Sequence, residues 1–234
     1  MSACQLRGVI LDMDGVLVDS HAVHRKAWRR FFQTLEMEVP EPELDFILDG
    51  RKRCDILRHF LGDRPDSELD EFGRRKDCIF QQMRLDVVPI PGAARLVEEL
   101  HRNGIALALA TSASRSRAHS TLRELDLLEY FQAIVTGEDV VLGKPDPVVY
   151  RLAQRRLDLG ASSALAVEDA ISGVQAAVGA GLLCVGVALH EQPAKLAAAG
   201  AAHVVADLQS ISMRDLEGIV RDGETSHAAA AGSA

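Results

Sequence analysis

Asp12 and Asp14 carry the clearest chemical potential, in the string Asp12-Met13-Asp14-Gly15-Val16-Leu17-Val18-Asp19-Ser20 that follows an apolar run at 6–11. Two residues apart at a strand end, their carboxylates project to one side and repel each other unless a cation or a proton intervenes. A hard divalent cation, Mg2+ above all, resolves that repulsion; a turn of water-solvated acids is the other reading of the string taken alone. Three more fragments follow apolar runs. Thr111-Ser112, after 105–110, offers a hydroxyl and backbone N–H groups able to hold phosphoryl oxygens. Gly143-Lys144-Pro145-Asp146-Pro147, after 133–135, puts one ammonium on a turn. Glu168-Asp169, after 164–167, supplies another acid pair, and Ser172-Gly173 lead from it into a helix. Each fragment alone is weak; the four in this order form a specific constellation.

Such fragments need a frame that gathers them. The runs at 6–11, 105–110, 133–135, 164–167, 183–187 and 203–205 are short, apolar and mostly separated by helix-like stretches. That rhythm predicts an α/β fold: a doubly wound, Rossmann-like parallel sheet buried on both faces, with right-handed crossovers. Ligands in this architecture collect beyond the carboxyl ends of the strands. Residues 20–88 break the rhythm with three helical stripes: Trp28, Phe31, Phe32 and Leu35; Ile56, Leu57, Phe60 and Leu61; Phe72, Ile79, Phe80 and Met83. The expected organisation is therefore a Rossmann-like core of 1–19 and 89–222, a helical insertion at 20–88 and a disordered tail at 223–234.

Composition supports that division. Of ten Phe, Trp and Tyr residues among 234, seven lie between 20 and 88, a window with three of the 18 glycines. The chain is 47% apolar with a net charge of -8, which excludes a disordered chain and argues against sequence-independent nucleic-acid binding. The same window holds half of the 26 Lys and Arg, so the rest of the chain carries most of the negative charge. Cys4, Cys54, Cys78 and Cys184 are widely spaced and read as free thiols in a reducing compartment. Neither a signal peptide nor a transmembrane run is evident, so the expected location is the cytoplasm, without a membrane partner. A monomer or weak oligomer is expected.

The four fragments resemble the signature motifs of the haloacid dehalogenase superfamily: Asp12-x-Asp14-Gly15, Thr111, Lys144, and Glu168-Asp169 followed by Gly173. The helical insertion after the first motif is similar to that of the sugar-phosphatase and beta-phosphoglucomutase branch, and the likeness covers 6 to about 205. The resemblance implies that Asp12 is the nucleophile and Asp14 the general acid and base. It also implies Mg2+ held by Asp12, the Asp14 carbonyl and Asp169, with Glu168 in or behind that set, and Lys144 and Thr111 on the phosphoryl oxygens with Ser112 beside them. The insertion becomes a cap over the substrate, in which Arg53 falls on a phosphate-binding position and His24 and Lys76 on a hinge histidine and a cap lysine. Ala113, Arg115 and Gly143 depart from the mutase pattern of serine, asparagine and serine. The implied activity is a phosphatase acting on a small phosphorylated metabolite, with a phosphomutase as the alternative; a receiver-like phospho-acceptor and a non-catalytic binder are remoter.

Overall fold

The computed structural model describes residues 5–231, with side chains as far as 223. The chain begins with β1 (Gly8–Leu11) and β2 (Val18–Asp19), then folds four helices in succession: α1 (His21–Gln33), α2 (Glu43–Leu48), α3 (Arg53–Leu61) and α4 (Asp66–Gln82). It returns through β3 (Val88–Pro89) to α5 (Ala93–Arg102), β4 (Ala106–Ala110), α6 (Arg115–Glu124), β5 (Ala133–Val135) and α7 (Val148–Leu157). The last part comprises β6 (Ala164–Glu168), α8 (Ile171–Gly179), β7 (Leu183–Val187), α9 (Pro193–Ala198), β8 (His203–Val205) and α10 (Met213–Ala231). Among the described residues, six strands form one parallel sheet in the order β5-β4-β1-β6-β7-β8, the doubly wound arrangement that the apolar runs predict.

The two faces of the sheet are built differently. One presents Val9, Leu11, Leu107, Leu109, Leu165 and Val167, which pack with α5 residues Leu96, Val97 and Leu100. The other presents Ile10, Ala108, Ala110, Ala164 and Ala166 to Tyr150, Ala153, Val174, Ala176 and Ala177 of α7 and α8. Alanine on strand and helix alike lets those helices approach the sheet closely, with Tyr150 the one ring among the side chains just named.

Rings are concentrated instead between β2 and β3. Trp28, Phe31 and Phe32 on α1 are buried with Leu44, Ile47, Ile56, Leu57 and Leu69 in a cluster separate from the sheet's. Trp28 stacks on Phe32 with ring centroids 5.5 Å apart, and Phe31 meets it edge-on at 5.8 Å. A helical segment this small has a poor ratio of volume to surface, and large apolar side chains bury the most area per residue. The chain enters and leaves this segment through the antiparallel β2–β3 pair, Val18 opposite Pro89 and Asp19 opposite Val88.

The stretch expected as a disordered tail is helical as far as Ala231, an outcome that the run from Ala228 to Ala231 favours; 232–234 lie outside the described residues. Cys54, Cys78 and Cys184 are free thiols as expected, and Cys4 lies outside the described residues. Among the described residues no helix is long and apolar enough to cross a membrane.

Phe31 is fully buried. Phe31→Ala is expected to cost about 3–5 kcal/mol, or a fall in Tm of roughly 6–20 °C in thermal denaturation followed by circular dichroism.

Candidate active site

Register places the four motif fragments side by side. β1 lies between β4 and β6, with Leu11 opposite both Leu109 and Val167, so Asp12 emerges flanked by the ends of those two strands. Thr111 leaves β4 1% exposed, and Glu168 and Asp169 leave β6 0% and 3% exposed. Lys144, on the loop between β5 and α7, is buried and reaches in from one side. Its Nζ donates to Asp12 Oδ1 at 2.8 Å and to Glu168 Oε1 at 2.5 Å.

Glu168 has its carboxylate fully engaged. Besides Lys144, Tyr150 donates its hydroxyl to Oε1 at 2.6 Å, and the backbone N–H groups of Asp169 and Ala170 donate to Oε2 at 3.0 and 3.4 Å. A Cβ on Gly173 would lie 2.1 Å from the Glu168 carboxyl carbon, so glycine is what allows α8 to begin against that group. Asp169 Oδ2, by contrast, is buried without a hydrogen-bond partner, although His21 Nε2 stands 3.4 Å away. At Gly15, φ is +82° and a Cβ would lie 1.8 Å from Asp169 Oδ2, a conformation and an approach open to glycine.

Oxygens of Asp12, Glu168 and Asp169 all lie within 4.8 Å of one another. Burial drives the Asp12 carboxyl up to about 7 against the pull of Lys144, and burial with the neighbouring Glu168 pushes Asp169 well above the usual carboxylate range. Lys144 is held charged: burial opposes its ammonium, but Asp12 and Glu168 raise it above the ordinary lysine value. Three crowded carboxylates, one cation and one orphaned buried oxygen fit a hard, oxygen-preferring divalent ion on the Asp12–Asp169 side.

Asp14 is held differently. Arg117 on α6 donates to both its oxygens, at 2.7 and 2.6 Å, Ser20 donates its hydroxyl at 2.5 Å, and His24 Nε2 lies 3.7 Å away. Burial raises this carboxyl, but the Arg117 guanidinium outweighs it and holds Asp14 well below the usual range. Arg117 is the site residue that sequence reasoning missed. Its signal was positional: a first helical turn favours acidic side chains, and α6 has Arg115 and Arg117 there behind the Ser114 N-cap.

The helical segment contributes the opposite wall. Lys76 is 3% exposed, with its Nζ 3.1 Å from His24 Nδ1 and about 5 Å above the Trp28 and Phe80 rings. Burial pulls Lys76 down to about 7 and His24 down to about 3, so the imidazole is neutral. Arg53 pairs with Asp77, and Ser112 donates its hydroxyl to the Gly50 carbonyl at 2.6 Å. A cavity of about 330 Å³ separates the two walls: Asp12, Asp14, Thr111, Ser112 and Asp169 line it from the sheet, and Arg53, His24 and Lys76 from the helices. Lys144 and Glu168 stand behind the first group.

Two substitutions probe these contacts. Gly173→Ala is expected to destabilise the fold by about 1–3 kcal/mol, because Glu168 must move. Gly179→Ala on the same helix, whose Cβ finds its nearest neighbour at 3.4 Å, is expected to be neutral or stabilising by up to about 1 kcal/mol in denaturant melts. For Lys76 the pH dependence has a definite sign. Below about pH 7 it is charged in both folded and unfolded chains, and the folded state bears the full cost of burial. Between about 7 and the ordinary value of 10.5 the unfolded chain holds a proton that the folded chain has released, so this group raises stability as pH rises. Lys76→Met is therefore expected to gain more stability at pH 6.5 than at pH 9.5; equal gains at both would contradict a buried, titrating ammonium.

The model of the haloacid dehalogenase-like hydrolase family matches residues 6–181. Protein CbbY of Cereibacter sphaeroides is 32% identical over 191 residues, covering 77% of this chain and 83% of its own. A phosphorylated carbohydrates phosphatase of Thermotoga maritima is 33% identical over 189 residues, with 76% and 82% covered. The crystal structure of a CbbY mutant from Rhodobacter sphaeroides, in complex with xylulose-(1,5)bisphosphate, superposes with a TM-score of 0.76 at 29% identity, over 88% of this chain and 96% of that one. Motif geometry, family match and relatives agree, and the chain belongs to the haloacid dehalogenase-like hydrolases.

Proposed function

We propose that this hydrolase is a Mg2+-dependent phosphatase of a small phosphorylated metabolite, a sugar phosphate, working through an aspartyl-phosphate. The observation that carries the reading is Asp12, bonded to Lys144 and with an oxygen within 4.8 Å of one from Asp169, whose Oδ2 is orphaned, and with a second carboxylate two residues on at Asp14. Relatives named as a phosphorylated carbohydrates phosphatase and as hexitol phosphatase A of Escherichia coli, 33% identical, support the substrate class.

In the proposed reaction Asp12 attacks phosphorus in line with the leaving alkoxide, and the bond to that alkoxide breaks. Asp12, Asp169 and the Asp14 carbonyl would hold Mg2+, which when bound offsets charge on the phosphoryl oxygens. Lys144 supplies a fixed positive charge beside the nucleophile. Thr111 Oγ1 accepts from the Ala113 N–H at 3.1 Å, which leaves its proton to donate to a phosphoryl oxygen. Asp14, once drawn away from Arg117 and protonated from water, gives that proton to the leaving oxygen and then takes one from the water that hydrolyses the acyl-phosphate. Glu168 acts through Lys144, since both its oxygens are already occupied by donors.

The segment at 20–88 serves in this reading as the cap domain on the 1–19 and 89–222 core, its Arg53, His24 and Lys76 facing the sugar side. An anion entering the cavity would raise Lys76 from about 7 and charge it, so substrate itself completes the binding wall. Hydrolysis is favoured over isomerisation because Arg115, where mutases carry an asparagine, is exposed and turned to Asp139 at 2.8 Å.

Asp12→Asn is expected to abolish phosphate release while leaving the circular dichroism spectrum and Tm close to those of the parent. Chelation should stop turnover of a sugar-phosphate panel, and added Mg2+ should restore it. Phosphate release should outrun formation of any isomeric sugar phosphate, with or without a sugar bisphosphate activator; isomerisation running faster would make the protein a mutase.

A further inference from the structure

A second group of metal-ligating side chains lies beside the catalytic carboxylates and plays no part in the reaction above. Asp19, His21 and His190 each direct one ligand atom into a space where all three atoms are within 4.8 Å of one another. His190 Nε2 is 2.9 Å from Asp19 Oδ1, and the two imidazole rings meet edge to face with centroids 4.2 Å apart. A cation shared between the ring nitrogens and the carboxylate satisfies all three at once.

We propose that Asp19, His21 and His190 bind a transition-metal ion of the zinc class beside the catalytic centre, which His21 adjoins with its Nε2 3.4 Å from Asp169 Oδ2. The donor chemistry distinguishes the two places: two imidazole nitrogens and one carboxylate suit Zn2+, Co2+ or Ni2+, whereas the all-oxygen set of Asp12 and Asp169 suits Mg2+. Position gives the site a consequence. Asp19 ends β2, where the chain departs for the helical segment, and His21 opens α1; His190 belongs to the loop between β7 and α9. An ion held by all three ties α1 to the body of the sheet. His190 is 37% exposed, so the site is open to solvent and exchange.

The full-length protein, stripped of metal and then saturated with Mg2+, should be titrated with ZnCl2 by equilibrium dialysis with metal analysis, beside His190→Ala and Asp19→Asn. The wild type is expected to bind one more Zn2+ per chain than either variant, with affinity for that ion lowered at least about 100-fold by loss of a ligand. Zn2+ should also raise the Tm of the wild type and not of His190→Ala. Mg2+-dependent turnover in His190→Ala, measured without Zn2+, controls for folding. Equal stoichiometry in all three proteins, or Zn2+ taken up only in exchange for the catalytic Mg2+, would overturn the proposal and leave a hydrogen-bonded His–Asp pair.

Discussion

The Lys144 ammonium, buried between Asp12 and Glu168, is the interaction on which the site depends. Without it, three carboxylates would crowd together out of water, and like charges at such separations do not all stay ionised. Removing that ammonium would cost about 3–5 kcal/mol, because the buried carboxylates would be left uncompensated, whereas neutralising Asp12 leaves Lys144 paired with Glu168. The rest of the core arranges itself around that contact. Glu168 is fixed by Tyr150 and two backbone N–H groups so that it can fix Lys144, and Gly173 gives it room. Asp12 is then held with one oxygen bonded to the ammonium.

Topology explains why these groups meet. In a parallel sheet all carboxyl ends lie on one edge, and β1 sits between β4 and β6. Residues 12, 111 and 168 therefore become neighbours although about a hundred and fifty positions separate the first from the last. The small side chains on the α7–α8 face let Tyr150 approach closely enough to reach Glu168 from beneath the sheet. The helical segment solves a different problem, that of a small core, with stacked rings. Those rings also form the bed on which the Lys76 ammonium lies.

Much of this was legible in the sequence, for physical reasons that also mark its limits. A strand buried on both faces must be a short apolar run, so the six strands announced themselves, and a polar residue at the end of such a run is at the sheet's carboxyl edge. Asp12, Thr111 and Glu168 were found that way. Lys144 carries no such pattern and was visible only as part of the constellation. The contact between His24 and Lys76 joins α1 to α4, and helical periodicity shows which face a residue occupies but not what it meets across the interface. Arg117 was overlooked because an arginine on an amphipathic helix usually lies in solvent, whereas here α6 starts at the cavity and aims it at Asp14. The alanine-rich end of the chain read as disorder from composition, although alanine is also the strongest helix former.

The two carboxylates of the first motif sit in opposite electrostatic surroundings, and the proposed reaction asks something different of each. Burial leaves Asp12 with a single ammonium and a pull toward the neutral form, so further positive charge beside it favours the carboxylate form that the proposed attack requires. Asp14 already has a guanidinium on both oxygens and is firmly ionised, a state in which it has no proton to give. To act as an acid it must leave Arg117, and the guanidinium it leaves needs another anion. A phosphorylated substrate brings negative charge into the cavity that both groups line. Exchange of Arg117 from Asp14 to the incoming anion would free the carboxylate to take up a proton from water at the moment substrate is present. While Arg117 stays on Asp14, the carboxylate has no proton for the leaving oxygen, so an empty cavity keeps the acid out of action.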